Sequence, residues 1–234
     1  MKVFAISDLH LSTTVNKPMD VFGGSWDNYL DDIFEDWKNK VADDDVVLLC
    51  GDFSWAMRLD EVKSDFQLIS KLKGKKVIIR GNHDYWWNTY TQVKSVLPNN
   101  FYALQNNALR IGNLLLCGTR GWVCPQNTKL SEEDEKIYKR ELERLALSLA
   151  DMQKQRKPSD TVVAMMHFPP FNARYEASEF VTKFVENDVT KVVYGHLHGK
   201  DCRAELEVER YGITFYLTSC DLAKNKLALI AEIE

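Results

Sequence analysis

The stretch Lys2-Val3-Phe4-Ala5-Ile6-Ser7-Asp8-Leu9-His10 decides the fold of this chain. Its apolar, partly β-branched portion is typical of a buried strand, and the polar residues Asp8 and His10 come directly after it. Other short apolar runs along the chain also end in polar motifs. Those motifs are Gly51-Asp52, Gly81-Asn82-His83-Asp84, Met166-His167 and Gly195-His196-Leu197-His198. Because the motifs together contain all five histidines, they predict one shared site built at strand ends.

Between these motifs, short apolar runs alternate with longer amphipathic stretches, which is typical of strands joined by crossover helices. We therefore predict an α/β fold. The predicted strands are Lys2–Ser7, Asp45–Cys50, Lys75–Arg80, Asn113–Thr119, Thr161–His167 and Lys191–Tyr194. The predicted helices are Trp26–Val41, Asp60–Leu72 and Ser131–Gln155, where apolar residues recur at three- and four-residue spacing.

The tail of the chain changes character. Cys202–Val208, Ile213–Thr218 and Leu227–Ile233 resemble antiparallel strands, with Tyr211-Gly212 as the turn between the first two. This pattern implies a second sheet that closes over the first. We found no internal repeat or low-complexity linker, so we predict a single domain over residues 1–234.

Composition narrows the class of protein. With 45% hydrophobic residues the chain can form a sizeable core, and its formal charge of −4 makes a nucleic acid an improbable partner, because such grooves need clustered Lys and Arg. Its five cysteines include no Cys-x-x-Cys pair and predict buried, reduced thiols. The first apolar run is too short for a signal peptide, and no later run could span a membrane. We therefore expect a cytoplasmic protein, and we leave its oligomeric state open.

The motifs suit a metal site. Side chains two positions apart on an extended segment share a face, so Asp8 and His10 can reach one pocket, as can His196 and His198. Glycines just before the polar residues allow a cation or phosphate to approach the backbone closely. The candidate ligands are Asp8, His10, Asp52, Asn82, His167, His196 and His198. Seven oxygen and nitrogen ligands are too many for one tetrahedral zinc and suit two divalent ions that share a ligand.

This series of motifs resembles the calcineurin-like metallophosphoesterase superfamily and extends from residue 8 to residue 198. The resemblance implies a β-sandwich of two mixed sheets flanked by helices. It also implies that Asp8, His10, Asp52 and His198 hold the first metal. The second metal would be held by Asp52, Asn82, His167 and His196, so that Asp52 bridges the two ions.

The resemblance also implies an activity: a phosphoesterase with two divalent ions, with Mn²⁺ or Fe favoured and Zn²⁺ possible. A hydroxide that bridges the ions would attack a phosphodiester or phosphomonoester of a small, nucleotide-like substrate. His83 would protonate the leaving oxygen or stabilise its charge, and Asp84 would orient His83. Asp84 could also cap the helix that follows.

Two further functions stay open: a nuclease of the same family, and a scaffold that keeps the fold without catalysis. A phosphoprotein phosphatase is disfavoured, because such enzymes continue the second motif as Asp-Arg-Gly and end the third with Glu. Here Asp52 is followed by Phe53, and the third motif ends in Asp84.

Substrate recognition is expected from loops that follow strands. Arg120 or Arg174 could grip a phosphate, and Trp122 could stack on a base. The alternative, surface arginines and a packing tryptophan, is equally compatible with the sequence.

Overall fold

Two mixed β-sheets pack face to face in the computed structural model, which describes residues 1–126 and 129–233. The strands are β1 (Lys2–Ile6), β2 (Val46–Leu49), β3 (Lys75–Ile78), β4 (Phe101–Ala103), β5 (Leu109–Ile111), β6 (Leu114–Thr119), β7 (Thr161–Met166), β8 (Lys191–Tyr194), β9 (Glu207–Arg210), β10 (Ile213–Leu217) and β11 (Ala228–Glu232). The α-helices of the described residues are α1 (Tyr29–Lys40), α2 (Lys63–Ser70), α3 (Tyr90–Val96), α4 (Glu132–Gln155) and α5 (Glu179–Glu186).

The first sheet has the strand order β11-β1-β2-β3-β4, and the second has the order β5-β6-β7-β8-β10-β9. β1 to β4 run parallel, as do β6, β7, β8 and β10, while β11, β5 and β9 pair antiparallel at the edges. The carboxyl ends of β1 and β8 meet, because the amide of His196 donates to the Asp8 carboxylate. The topology therefore brings the polar motifs to one end of both sheets.

Both faces of each sheet are covered by other parts of the protein. For this reason the strands consist of nearly continuous apolar residues. One core lies between the sheets and includes Val3, Leu48 and Val163. A second core lies between the outer face of the first sheet and α1 to α3, where Ile33 and Trp37 form part of the predicted aromatic stripe. The third core joins the second sheet to α4 and α5. The predicted α/β sandwich flanked by helices is thus confirmed.

Several predicted boundaries agree with the structure. α4 begins after Ser131, whose hydroxyl accepts a hydrogen bond from the Asp134 amide at 3.1 Å. The turn at Tyr211-Gly212 is present with φ of 56° and 74°, as a two-residue type I′ hairpin requires. The five cysteines are free, and all except the partly exposed Cys202 are buried. None of the helices described is long and apolar enough to cross a membrane.

The tail differs from its prediction. The strand expected at Cys202–Val208 is wrong, since the pairing with β10 begins only at Glu207. The preceding segment turns toward the end of the sheets that carries the motifs, with the Cys202 amide bonded to the Gly199 carbonyl. β11 joins the first sheet beside β1 instead of building a separate sheet with β9 and β10. The second sheet is instead built around the parallel strands β6, β7 and β8.

Candidate metal centre

The backbone at the motifs is sharply bent. Asp8, His10, Asp52 and His196 have φ of 58°, 45°, 49° and 69°, the left-handed region that side chains other than glycine rarely adopt. The expectation that Asp8 and His10 lie on an extended segment is therefore wrong. They converge because the amides of Asp8 and His10 donate to the carbonyls of Gly51 and Asp52. The first motif is thus folded against the second.

Glycines let the protein's own ligand-bearing segments meet. A Cβ on Gly81 would lie 2.1 Å from both the amide nitrogen and Oδ1 of Asp52, and one on Gly195 would lie 2.5 Å from Asp8 Oδ2. At Gly51, with φ of 90°, a Cβ would lie 2.6 Å from His167 Nδ1. The missing Cβ atoms thus make room for the candidate ligands themselves, and the close approach of a cation or phosphate stays a prediction.

One group of candidate ligands consists of Asp8, His10 and His198, whose donor atoms lie within 4.8 Å of one another. The buried His10 ring has no hydrogen-bond partner at either nitrogen among the described residues. Its Nε2 lies 3.8 Å from Asp52 Oδ2, another buried atom without a partner there. Because buried polar atoms are nearly always satisfied, this pair indicates a missing partner such as a cation.

A second group consists of Asp8, Asp52 and His167, again with donor atoms within 4.8 Å. Asn82 joins it, because Asn82 Oδ1 lies 2.7 Å from His167 Nε2 and 2.9 Å from His196 Nδ1. All seven predicted ligands are therefore brought together. Within this centre, His196 contacts Asn82, whereas His198 belongs to the group with Asp8 and His10.

The position of the proton on the His167 ring shows whether a metal ion would fit beside it. Burial lowers the pKa of His167 to about 4, so the ring is neutral and carries one N–H. His167 Nδ1 lies 2.9 Å from the Cys50 carbonyl oxygen, which fixes the N–H there. The lone pair on Nε2 then faces the oxygen of Asn82, two acceptors with no donor between them. A cation between these atoms would turn that repulsion into coordination.

The charges around the centre agree with a cation site. Burial, followed by the neighbouring carboxylates of Asp84 and Asp8, raises the pKa of Asp52 to about 9. Burial also lowers the pKa of His10 and lowers the pKa of His196 to about 4. The centre thus combines crowded carboxylates with neutral imidazoles, the donors that bind divalent ions. None of the seven candidate ligands is a cysteine thiolate.

Asp8 is already oriented for such a role. Its Oδ2 accepts hydrogen bonds from the hydroxyls of Ser7 and Ser219, at 2.6 and 2.9 Å. The amide of His196 also donates to this carboxylate. These donors hold the carboxylate in place, with an oxygen within 4.8 Å of the donor atoms of both ligand groups. Ser219 follows β10, so the sequence signal that could have found it is again a polar residue at a strand end.

Asp84 does not orient His83. Its Oδ1 accepts from the amides of Phe53 and Ser54, at 2.9 and 3.2 Å, and from the Trp86 indole at 3.0 Å. Its Oδ2 accepts from the Gly81 amide at 2.7 Å. Within the described part of the chain, no hydrogen bond joins Asp84 to His83. The predicted catalytic role of Asp84 is therefore corrected. Its hydrogen bonds connect the third motif, Gly81-Asn82-His83-Asp84, to the residues that follow Gly51-Asp52.

We expect Asp84→Ala to lower the free energy of unfolding by about 3–5 kcal/mol, because four buried donors would lose their acceptor. Urea denaturation of the metal-free protein measures this loss. His83→Ala is the control and should leave unfolding unchanged within about 0.5 kcal/mol. An Asp84→Ala protein of unchanged stability but reduced turnover would contradict the structural role.

His83 belongs to neither ligand group, although its ring centroid lies 5.6 Å from that of His10. Its amide donates to Asp52 Oδ1 at 2.8 Å, while its ring packs 4.8 Å from the Trp55 ring, centroid to centroid. Burial, followed by the charge of His198, lowers the pKa of His83. The ring faces the open cleft beside the centre, and its buried Nδ1 has no partner among the described residues. His83 can therefore meet a group on a bound substrate.

The three predicted substrate residues lie elsewhere. Arg120 is packed against Glu141, with 3.3 Å between its Nη2 and Oε1, and the Trp122 indole donates to Asp134 at 3.0 Å. Arg174 has a side chain 65% exposed and lies 4.0 Å from Glu176. None of the three lines a cleft at the centre in the described part of the chain. Arg120 still contacts the centre through its backbone, because its carbonyl oxygen accepts from the amides of His167 and Phe168 at 3.1 and 2.9 Å, and its charge lowers the pKa of Asp52 against the effect of burial.

The sequence model of the calcineurin-like phosphoesterase family matches residues 1–200, so the chain belongs to this family. It is a hydrolase that acts on phosphoester bonds. The Asp/His groups described above are compatible with the divalent metals that the family normally binds. No protein with curated annotation matches the sequence.

Solved structures agree on the fold. The phosphopantetheinyl hydrolase PptH from Mycobacterium tuberculosis is 15% identical with a TM-score of 0.57, over 98% of this chain and 95% of that one. TT1561 of Thermus thermophilus is 12% identical with a TM-score of 0.58, over 97% and 96%. AQ665 from Aquifex aeolicus, a protein of unknown function, is 13% identical with a TM-score of 0.50, over 97% and 95%.

Proposed function

We propose that this protein is a binuclear metal-dependent phosphoesterase that hydrolyses a phosphodiester or phosphomonoester bond in a small, nucleotide-like substrate. The observation that carries this proposal is the contact of 2.7 Å between His167 Nε2 and Asn82 Oδ1. Both atoms are acceptors, and His167 Nε2 also lies 3.5 Å from the buried Asp52 Oδ2. A divalent ion satisfies all three at once, and no side chain in the described residues does so.

The proposed first ion is held by Asp8, His10, Asp52 and His198, and the second by Asp52, Asn82, His167 and His196. Asp52 is the proposed bridge, because its Oδ2 lies 3.8 Å from His10 Nε2 and 3.5 Å from His167 Nε2. Asp8 has a donor atom within reach of both ligand groups. It therefore supports the bridge by placing a second negative charge between the ions.

Two bound divalent ions would act as Lewis acids on the phosphoryl oxygens and lower the pKa of the attacking water. Side chains of the protein would attract the substrate and assist the leaving group. Asp8 and Asp52 offset only part of the charge of two such ions, so the pocket would attract a phosphate although the protein is acidic overall. His83, which lines the cleft, donates a proton or a hydrogen bond to the leaving oxygen.

We expect the purified protein to bind about two divalent ions per chain, with Mn²⁺ or Fe favoured over Zn²⁺ by the mixed oxygen and nitrogen ligands. His198→Ala and Asn82→Ala should each remove one ion and retain the other, since each belongs to one proposed site. Elemental analysis after metal titration counts the ions, and hydrolysis of bis-p-nitrophenyl phosphate reports activity. A protein that binds no ion tightly would contradict the proposal.

An inert wild-type protein, tested with Mn²⁺ on phosphomonoesters, phosphodiesters and cyclic nucleotides, would favour a non-catalytic scaffold instead. The proposal includes a cytoplasmic location, which rests on the five free cysteines.

A further inference from the structure

A cleft of about 600 Å³ opens on one side of the candidate metal centre, within the range of small-molecule sites. His10, His83 and His198 lie at its inner end, and Phe22, Trp26 and Trp55 form its apolar walls. We call it the Trp cleft. Phe22 is 70% exposed and offers a large apolar surface to a molecule in this cleft.

Asp221 gives the Trp cleft a polar anchor. The residue is 6% exposed, and its Oδ2 accepts a hydrogen bond from the Gly199 amide at 2.7 Å. Its Oδ1 is buried without a partner among the described residues, although Asp221 lines the cleft. A buried acceptor left unpaired costs free energy, so it is suited to meet an O–H or N–H group of a ligand.

A second cleft of about 470 Å³ lies on the other side of the centre. His196 lies at its inner end, and Val123, Phe168, Phe171 and Tyr175 form its apolar walls. We call it the Phe168 cleft. Among the described residues only Cys202 lines both clefts, because the segment 196–198 separates them. The candidate centre therefore has one apolar cleft on each side.

We infer that the substrate is a phosphodiester with one organic substituent in each cleft, and that the alcohol in the Trp cleft donates a hydrogen bond to Asp221. This inference rests on the proposed function. A phosphomonoester has a single organic substituent and would leave one cleft empty, whereas a diester fills both. The apolar walls suit the organic part of each substituent, and Lys200 lines the Trp cleft while Arg203 lines the Phe168 cleft beside those walls.

The position of His83 identifies the substituent that leaves. Its ring lines the Trp cleft and not the Phe168 cleft. Water adds its oxygen to phosphorus, and the P–O bond to the alcohol in the Trp cleft breaks. The alcohol departs with a proton, which balances the proton that the water loses. The product in the Phe168 cleft is a phosphomonoester.

The first test compares phenyl p-nitrophenyl phosphate with p-nitrophenyl phosphate, using the Mn²⁺-loaded protein. We expect kcat/KM to be at least about tenfold higher for the diester, because only the diester fills the Phe168 cleft. Val123→Trp should narrow that cleft and lower diester hydrolysis at least about tenfold, with less than about a threefold change for the monoester. Leu147→Trp, an exposed position on α4, is the matched control and should change neither.

The second test uses two phenyl diesters whose leaving phenols carry either a para-hydroxymethyl or a para-methoxymethyl group. Only the first can donate to Asp221, and we expect it to be preferred about tenfold in kcat/KM. Asp221→Asn keeps an oxygen for the Gly199 amide but presents a donor to the cleft, so the preference should disappear. Asp201→Asn changes an exposed carboxylate of the same cleft and should preserve it.

The results of these tests distinguish the inference about the substrate from the proposed function. Equal or faster hydrolysis of the monoester, or a preference that survives Asp221→Asn, would overturn this inference while the proposed function stands. A metal-loaded protein that is inert on every ester would overturn the proposed function and this inference with it.

Discussion

Asp52→Asn is expected to lower kcat/KM for bis-p-nitrophenyl phosphate by more than about 10⁴-fold and to weaken both metal sites. The reason is its position: the buried Oδ2 lies between His10 and His167, at 3.8 and 3.5 Å from their Nε2 atoms. An amide offers a single neutral oxygen there and cannot hold two ions. Activity assays with added Mn²⁺, together with elemental analysis, measure both effects.

The same change should make the metal-free protein more stable, by about 1–3 kcal/mol. Asn keeps an oxygen for the His83 amide, removes the cost of protonating a buried carboxyl whose pKa is raised to about 9, and can donate to the lone pair of His167. Asp160→Asn is the control: it breaks an ion pair with Arg110 away from the centre and should leave metal content and turnover unchanged. An Asp52→Asn protein that retains two ions and most of its activity would refute the bridge.

His83→Ala is expected to leave about two ions bound and to slow turnover by roughly 10²–10⁴-fold, the usual contribution of a positioned acid. Asn82 Oδ1 faces His167 and His196, whereas the adjacent His83 ring faces the Trp cleft. The two neighbours therefore have separable roles. The loss should be smaller for p-nitrophenyl esters, whose leaving group hardly needs a proton, than for alkyl or nucleoside esters.

Tyr85→Ala is the matched control for His83→Ala. It removes a half-exposed ring from the same loop, 6.1 Å from the His83 ring between centroids, and should change turnover less than about threefold. Equal losses on activated and unactivated esters would mean that His83 stabilises phosphoryl charge. Loss of an ion would mean that His83 is itself a ligand.

The sequence predicted the elements that have strong local patterns. β1, β2, β3, β7 and β8 are found where apolar runs end in motifs, β6 is found at the predicted run before Gly121, and α4 begins directly after Ser131. The convergence of Asp8 with His196 was predictable, because carboxyl ends of parallel strands share one edge. Short elements such as β4, β5, α3 and α5 were missed. Three to eight residues carry too little periodicity to be distinguished from loops.

Other features depend on tertiary contacts. The bend at Asp8 comes from hydrogen bonds to Gly51, a residue far away in sequence, so local propensity predicted an extended segment instead. Asp84 follows His83 by one position, yet its carboxylate is bonded to the amides of Phe53, Ser54 and Gly81. Asp221 went unnoticed because its motif is a lone carboxylate. Its possible role is visible only in the folded protein, where the Gly199 amide donates to the Asp221 carboxylate.

The left-handed backbone at Asp8, His10, Asp52 and His196 has a consequence for protein engineering. Each such residue costs about 1–3 kcal/mol; hydrogen bonds to the Asp8 and Asp52 carboxylates recover part of this cost, whereas the His10 ring recovers none among the described residues. A library selected for thermal stability alone should therefore accumulate Gly or Asn at these positions first and lose metal as it gains melting temperature. Selection that retains the ligands must be carried out with the metal present, because only then does the strained backbone contribute to the survival of the variant.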